Sequence, residues 1–214
     1  MRGAGLRASV LDCASPLALF RRHNSVWMRP LIRAIREIRG LQSAFQVQYA
    51  RMTIRPATAA DLHGILDIYN EAVLNTTASY DYEPRTLEHR RQWFEERQRD
   101  NYPVFVAADG DGRVLGWSAL NPYHARIGYR FTSENSVYVA ADQRGRGIGR
   151  ALLAPLLEAG KARGLHAIIA AIDADNEASI RLHAEFGFEK VGHFKQTGFK
   201  FGRWLDVVYM EKLL

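Results

Sequence analysis

The stretch Ala141-Asp142-Gln143-Arg144-Gly145-Arg146-Gly147-Ile148-Gly149-Arg150 decides the fold. It follows Ser136–Ala140, a short Val- and Tyr-bearing run that reads as a strand, and it opens Gly147–Arg163, whose apolar residues recur at helical spacing. Three glycines at alternate positions let the backbone turn tightly and bring several N–H groups to one ligand. The helix start adds the positive end of its dipole, and Arg144, Arg146 and Arg150 supply cations at the rim. The unit is built for a phosphate or pyrophosphate, unless it is only a structural turn. A Walker-type loop would end in Gly-Lys-Ser/Thr, which is missing here. A dinucleotide fingerprint would carry its third glycine at position 150, where this chain has arginine.

Outward from the loop, strands and helices alternate. Thr53–Pro56 reads as a strand, and Asp61–Leu74 and Thr86–Arg99 read as amphipathic helices. Val104–Ala108 and Val114–Leu120 flank Asp109-Gly110-Asp111-Gly112 and form a hairpin. Ala167–Ile172 is nearly all apolar, as expected of a strand buried on both faces. Asn176–Phe186 is a helix stopped by Gly187, and Phe188–Phe194 and Leu205–Met210 close the sheet. The pattern predicts one α+β domain with a mixed sheet.

Composition narrows the function. The chain has 214 residues, 47% of them hydrophobic and 24% charged, which is ordinary for a globular protein. Its net charge of +6 is unevenly placed. Residues 1–51 hold nine arginines and two acids, a net +7, whereas residues 52–214 hold 20 basic and 21 acidic side chains. The body therefore lacks the basic footprint that nucleic acid needs. The leader has the makeup of a transit peptide, or of upstream coding sequence translated from too early a start, since Met52 begins a natural first strand. We expect residues 1–51 to be non-catalytic and 52–214 to form the functional domain. No apolar run is long enough to span a membrane. Cys13 is the one cysteine, which excludes a disulfide framework and a cysteine-rich zinc site and points to a reducing, cytoplasmic setting.

Five stretches together resemble the GNAT acetyltransferase superfamily, in its phosphinothricin and L-methionine sulfoximine/sulfone branch. They are the glycine loop; Ile68-Tyr69-Asn70-Glu71-Ala72-Val73; Asn135-Ser136-Val137-Tyr138-Val139; Ala178–Phe188; and Gly198-Phe199-Lys200-Phe201-Gly202-Arg203-Trp204-Leu205-Asp206. The resemblance spans residues 52–214. It implies a three-layer α/β/α fold around a mixed, mostly antiparallel and splayed sheet, with acetyl-CoA as co-substrate and no metal. It implies that Val137, Tyr138 and Val139 bond the pantetheine arm and that Gly145, Arg146, Gly147, Ile148, Gly149 and Arg150 hold the pyrophosphate. Asn176 would bind the pantetheine end and Glu185 would touch CoA. It further implies a general base at Glu134, just before the splayed strand, a catalytic histidine at His183, and a homodimer built through Gly198–Asp206.

Acyl transfer to an amine needs a group to accept the amine's proton. The body has no cysteine and no serine in a nucleophile elbow, so direct attack is expected in place of an acyl-enzyme. Tyr123–Thr132 mixes cations with aromatics, and an arginine fork suits a carboxylate. Arg126 and Arg130, walled by Tyr129 and Phe131, are the expected carboxylate clamp of an amino-acid acceptor; Tyr129 and Tyr138 are further proton donors to weigh. The expected reaction is N-acetylation of a small amino acid or analogue such as phosphinothricin, methionine sulfoximine or methionine sulfone. A polyamine or protein N-terminus as acceptor, or a non-catalytic acyl-CoA-binding module, are the alternatives.

Overall fold

The computed structural model describes residues 52–214, and the expectations for the leader lie outside them. The chain runs β1 (Thr53–Pro56), α1 (Leu62–Asn75), α2 (Leu87–Arg99), β2 (Val104–Ala108), β3 (Val114–Pro122), β4 (Thr132–Val139), α3 (Ile148–Ala162), β5 (Ala167–Asp173), α4 (Glu177–Glu185), β6 (Glu189–Lys200) and β7 (Arg203–Leu213). Among the described residues no helix is long and apolar enough to cross a membrane, and no cluster of metal-ligating side chains occurs.

Helix α1 forms because Leu62, Ile65, Ile68, Ala72 and Val73 make one buried stripe at helical spacing. Its entry is fixed by Asp61, whose Oδ2 accepts from Thr58 N at 2.7 Å while both carboxylate oxygens accept from Arg55. Helix α2 starts at Thr86, whose hydroxyl accepts from His89 N. Helix α3 buries Leu152, Leu153, Leu156 and Leu157, and α4 is capped by Asn176, whose Oδ1 accepts from Ser179 N at 3.1 Å.

The seven strands lie in the order β1-β2-β3-β4-β5-β7-β6, and every neighbouring pair is antiparallel except β4 and β5. One core cluster joins α1 and α2 to Val106 and Trp117 on one face of the sheet. Two others join α3 to Leu120, Ile168 and Leu115 on the opposite face. The result is the expected three-layer α+β arrangement. The parallel pair matters most, because it is joined only at Thr132↔Ala167, Ser133↔Ile168 and Glu134↔Ile169. Beyond Glu134 the two strands diverge and leave a wedge in the sheet.

Several boundaries differ from the sequence reading. Strand β4 begins at Thr132, four residues before Ser136, because the polar run Thr132–Asn135 is held between β3 and β5 and buries Ser133 and Asn135. Strands β6 and β7 extend to Lys200 and back from Arg203 in one long hairpin. An irregularity between Phe194 and Gly198, with Gln196 at φ 53°, breaks the alternation that would have shown it.

Candidate active site

The wedge is lined on one side by β4. Ala140 N–H donates to Leu115 O, so strand alternation turns the backbone groups of Val137 and Val139 away from β3 and toward the gap. Tyr138 instead sits in the ladder opposite Trp117 and sends its ring to the α1/α2 face, where it stacks on Trp117 at 4.8 Å. The Val139 carbonyl already accepts from Arg144 Nε at 3.3 Å.

The glycine loop closes the wide end of the wedge. Gly145 and Gly147 have φ of 76° and 75°, a left-handed conformation in which a side chain would be strained. Gly147 is the N-cap of α3 and gives no side-chain cap, so the first-turn N–H groups have no side-chain acceptor there. This is the donor set a pyrophosphate requires, and the loop residues fit it. A Cβ at Gly149 would lie 3.1 Å from Leu182 Cδ2, so this glycine allows α3 and α4 to approach. Two of the three flanking cations are paired with acids at the surface. Arg144 Nη2 lies 2.8 Å from Glu71 Oε2, and Arg150 pairs with Glu185. Arg146 donates to Gln143 Oε1 at 3.2 Å. Asn176 stands at the wedge end of β5, with its side-chain oxygen committed to the α4 cap.

Glu134 is placed differently from the sequence reading, inside β4 and not before it. It is the last residue of β4 paired with β5, at the vertex of the wedge, and Asn121 lies opposite it in β3. Its carboxylate has no hydrogen-bond or ion-pair partner among the described residues. Burial pushes its carboxyl above the usual carboxylate range, with His124 pulling slightly the other way. An unpartnered, half-buried carboxylate with a raised pKa is well suited to take up a proton.

His183 is buried on the other face. Its Nδ1 donates to Ser179 O at 2.8 Å, because a carbonyl can only accept, and Nε2 therefore accepts from Asn135 Nδ2 at 2.8 Å. Burial pushes the imidazole below its usual pKa, so the ring is neutral. Glu134 and Asn135 point to opposite faces of β4, so Glu134 and His183 do not meet around one pocket.

The 123–131 loop is on the surface. Tyr129 packs against Tyr123 and His124, and the Arg130 guanidinium lies 4.3 Å from the Phe131 ring centroid. Neither Arg126 nor Arg130 forms an ion pair among the described residues.

On the Glu134 face, Tyr138 and Tyr69 meet two residues that the sequence reading did not single out, Arg90 and Asp81. The Arg90 guanidinium is buried without a carboxylate partner among the described residues, 4.4 Å from the Tyr69 ring and 4.7 Å from Trp93. Tyr69 OH donates to Asp81 Oδ2 at 2.6 Å, and Tyr138 OH donates to Ala78 O at 3.2 Å. For Asp81 the sequence signal is the polar-aromatic run Ser79-Tyr80-Asp81-Tyr82 between two helices.

Comparison with known proteins agrees with this geometry. Residues 54–209 match the acetyltransferase (GNAT) domain family. An L-methionine sulfoximine/L-methionine sulfone acetyltransferase of Pseudomonas paraeruginosa is 50% identical over 159 residues, which cover 74% of this chain and 92% of the relative. A phosphinothricin N-acetyltransferase of Streptomyces coelicolor is 42% identical over 167 residues, 77% of this chain and 98% of the relative. Among solved structures, a GNAT superfamily phosphinothricin acetyltransferase from Sinorhizobium meliloti in complex with AcCoA aligns with TM-score 0.75 and 41% identity, over 77% of this chain and 89% of that one. The loop, the wedge and these matches agree: the chain belongs to the GNAT acetyltransferase family and is an acetyl-CoA-dependent N-acetyltransferase.

Proposed function

We propose that this protein acetylates the primary amine of a small amino acid or a close analogue, of the phosphinothricin, methionine sulfoximine or methionine sulfone type. The observation that carries the reading is Glu134, a carboxylate of raised pKa with no partner among the described residues, at the vertex of a wedge where β4 runs on without a strand beside it. Acetyl-CoA supplies the acetyl group. Val137 and Val139 bond the pantetheine amides as an added strand would, with Tyr138 walling the α1/α2 face. Gly145 to Arg150, including Arg146 and Ile148, hold the pyrophosphate at the α3 N-terminus, while Glu185 releases Arg150 to it and Asn176 contacts the pantetheine end.

The acceptor enters from the Glu134 face. Arg126 or Arg130, with no acidic partner among the described residues, grips the acceptor carboxylate beside Tyr129. Glu134 takes one proton from the ammonium, directly or through one water. The neutral amine attacks the thioester carbonyl and the C–S bond breaks. The CoA thiolate leaves and takes up the second amine proton, to give the amide and free CoA. His183 holds Asn135, and through it the course of β4 where the wedge opens; in this reading it positions the strand and moves no proton. The exposed Phe194, Phe199, Phe201 and Trp204 on the β6–β7 hairpin support a homodimer through this face, and a cytoplasmic setting suits the acetyl-CoA requirement.

The test is an acetyl-CoA consumption assay across free amino acids, methionine sulfoximine, methionine sulfone, phosphinothricin, spermidine and peptides. Turnover confined to spermidine or peptides would refute the acceptor class. Binding of acetyl-CoA without turnover of any amine would favour a non-catalytic module.

A further inference from the structure

We propose that Lys200 is a positioning residue for acceptor binding, acting by fastening the segment 76–86 against the Glu134 face of the sheet. Resting on the acetylation reading above, this deepens it by naming what shapes the acceptor wall. Lys200 is only 2% exposed, and all three of its ammonium donors are used. Nζ donates to Val73 O at 2.7 Å, Thr76 O at 2.9 Å and Ser79 O at 2.6 Å. Val73 lies in the last turn of α1, so the cation sits at the negative end of that helix. Among the described residues no carboxylate lies within ion-pair distance of it; the three main-chain carbonyls are its direct partners, with the Phe201 ring 5.0 Å away and Asp81 acting from farther off.

Those carbonyls begin the segment that forms the acceptor wall. Ser79 bonds the Tyr69 hydroxyl at 3.1 Å, and Asp81 accepts from Tyr69 and, at 2.9 Å, from Arg85 Nε. Between the two carbonyls of Thr76 and Ser79, Ala78 O accepts from Tyr138 OH, and Tyr138 shares a face of β4 with Glu134. The hairpin makes two further fastenings. Tyr82 OH donates to Phe199 O, and Tyr80 lies over Gly198 with its hydroxyl 3.2 Å from Asp173 Oδ2. The segment has no helix or strand of its own, so these ties set its course. Removing the ammonium orphans three carbonyls at once, and the segment must move to find water for them.

The experiment compares Lys200→Met with Tyr82→Phe in the full chain, measuring acceptor KM and kcat together with acetyl-CoA Kd by calorimetry. In Lys200→Met the acceptor KM should rise about tenfold or more while the acetyl-CoA Kd stays within about threefold, since the wedge is untouched. Tyr82→Phe removes one hydroxyl from the same segment and should raise KM by about two- to fivefold, less than additively with Lys200→Met. An unchanged KM in a folded Lys200→Met protein overturns the proposal, as does a parallel loss of cofactor affinity. If Lys200→Met does not fold, an unchanged KM in Tyr82→Phe overturns it. If the wild type turns over no amine, the acetylation reading fails on its own. The fastening is then judged by hydrogen exchange over residues 76–86, and unchanged protection in both variants overturns it.

Discussion

Arg150→Met isolates the electrostatics of the glycine loop. Arg150 pairs with Glu185 across exposed surface, with side-chain exposures of 61% and 49%, so this pair contributes only about 0–1 kcal/mol. A charge-assisted contact to pyrophosphate contributes about 1.5–3 kcal/mol. Binding exchanges the first for the second, so the net loss in the variant is about 0.5–3 kcal/mol, or roughly 2- to 160-fold in acetyl-CoA Kd. Calorimetric titration at 50 mM salt should show this loss. The ratio of variant to wild type should shrink at 1 M salt, where the Debye length is about 3 Å. Glu185→Gln should act in the opposite direction and tighten binding by up to about fivefold, because it frees Arg150. An Arg150→Met protein that binds within twofold of wild type at low salt would refute the assignment of Arg150 to the pyrophosphate. A Glu185→Gln protein that binds more weakly would show that Glu185 contacts the cofactor itself and does not compete with it.

Glu134→Gln should lower kcat by about 10²–10⁴-fold with KM little changed, and should abolish the acidic limb of the pH–rate profile. That limb lies above the usual carboxylate range, because burial raises the Glu134 pKa. The same shift predicts stability: the folded state holds this proton to higher pH than the unfolded chain, so ionisation costs stability as pH rises through that window. Chemical denaturation should therefore find Glu134→Gln more stable than wild type at pH 7, with the difference vanishing below about pH 4. Replacing whichever of Arg126 and Arg130 grips the acceptor with Met should raise KM for amino acids about 10- to 100-fold and leave acetyl-CoA affinity unchanged; if both variants keep wild-type KM, the clamp assignment is wrong. Gly198→Ala places a Cβ 2.7 Å from Cδ2 of the Tyr80 ring and should lower unfolding stability by about 1–3 kcal/mol; an unchanged melting temperature would show that Tyr80 moves freely.

The parts of the fold carried by local pattern were legible in the sequence. The glycine loop, the four helices and β1 to β3 follow from periodicity and capping within a few residues of each element. Strand β4 was legible only from Ser136 on, because Thr132-Ser133-Glu134-Asn135 has no apolar alternation; it becomes a strand through partners on both sides. Glu134 was found, but its place at the vertex was not, since the vertex exists only where β5 leaves β4. Since most arginines and lysines are exposed, Arg90, within the Thr86–Arg99 helix, and Lys200, within the Gly198–Asp206 stretch, carry no individual signal in the sequence. Their partners are aromatic faces and main-chain carbonyls, the latter more than 120 residues away, and no spacing rule reveals such contacts. His183 was visible as a histidine at a family position, whereas its bond to Asn135 depends on the packing of α4 on the sheet.

The long-range ties of the 76–86 segment also bear on how the protein comes into being. Tyr80 and Ser79 are anchored by residues 93 and 121 positions later in the chain. At about 5–20 residues per second of synthesis, the nascent chain waits roughly 6–24 s between making Ser79 and making Lys200. Throughout that interval α1 and α2 have no C-terminal hairpin to lean on, and the turn between them lacks the cation that orders it. The 76–86 segment is therefore fastened only after the β6–β7 hairpin has been made, and a chain that stops short of that hairpin emerges without its Lys200 ties.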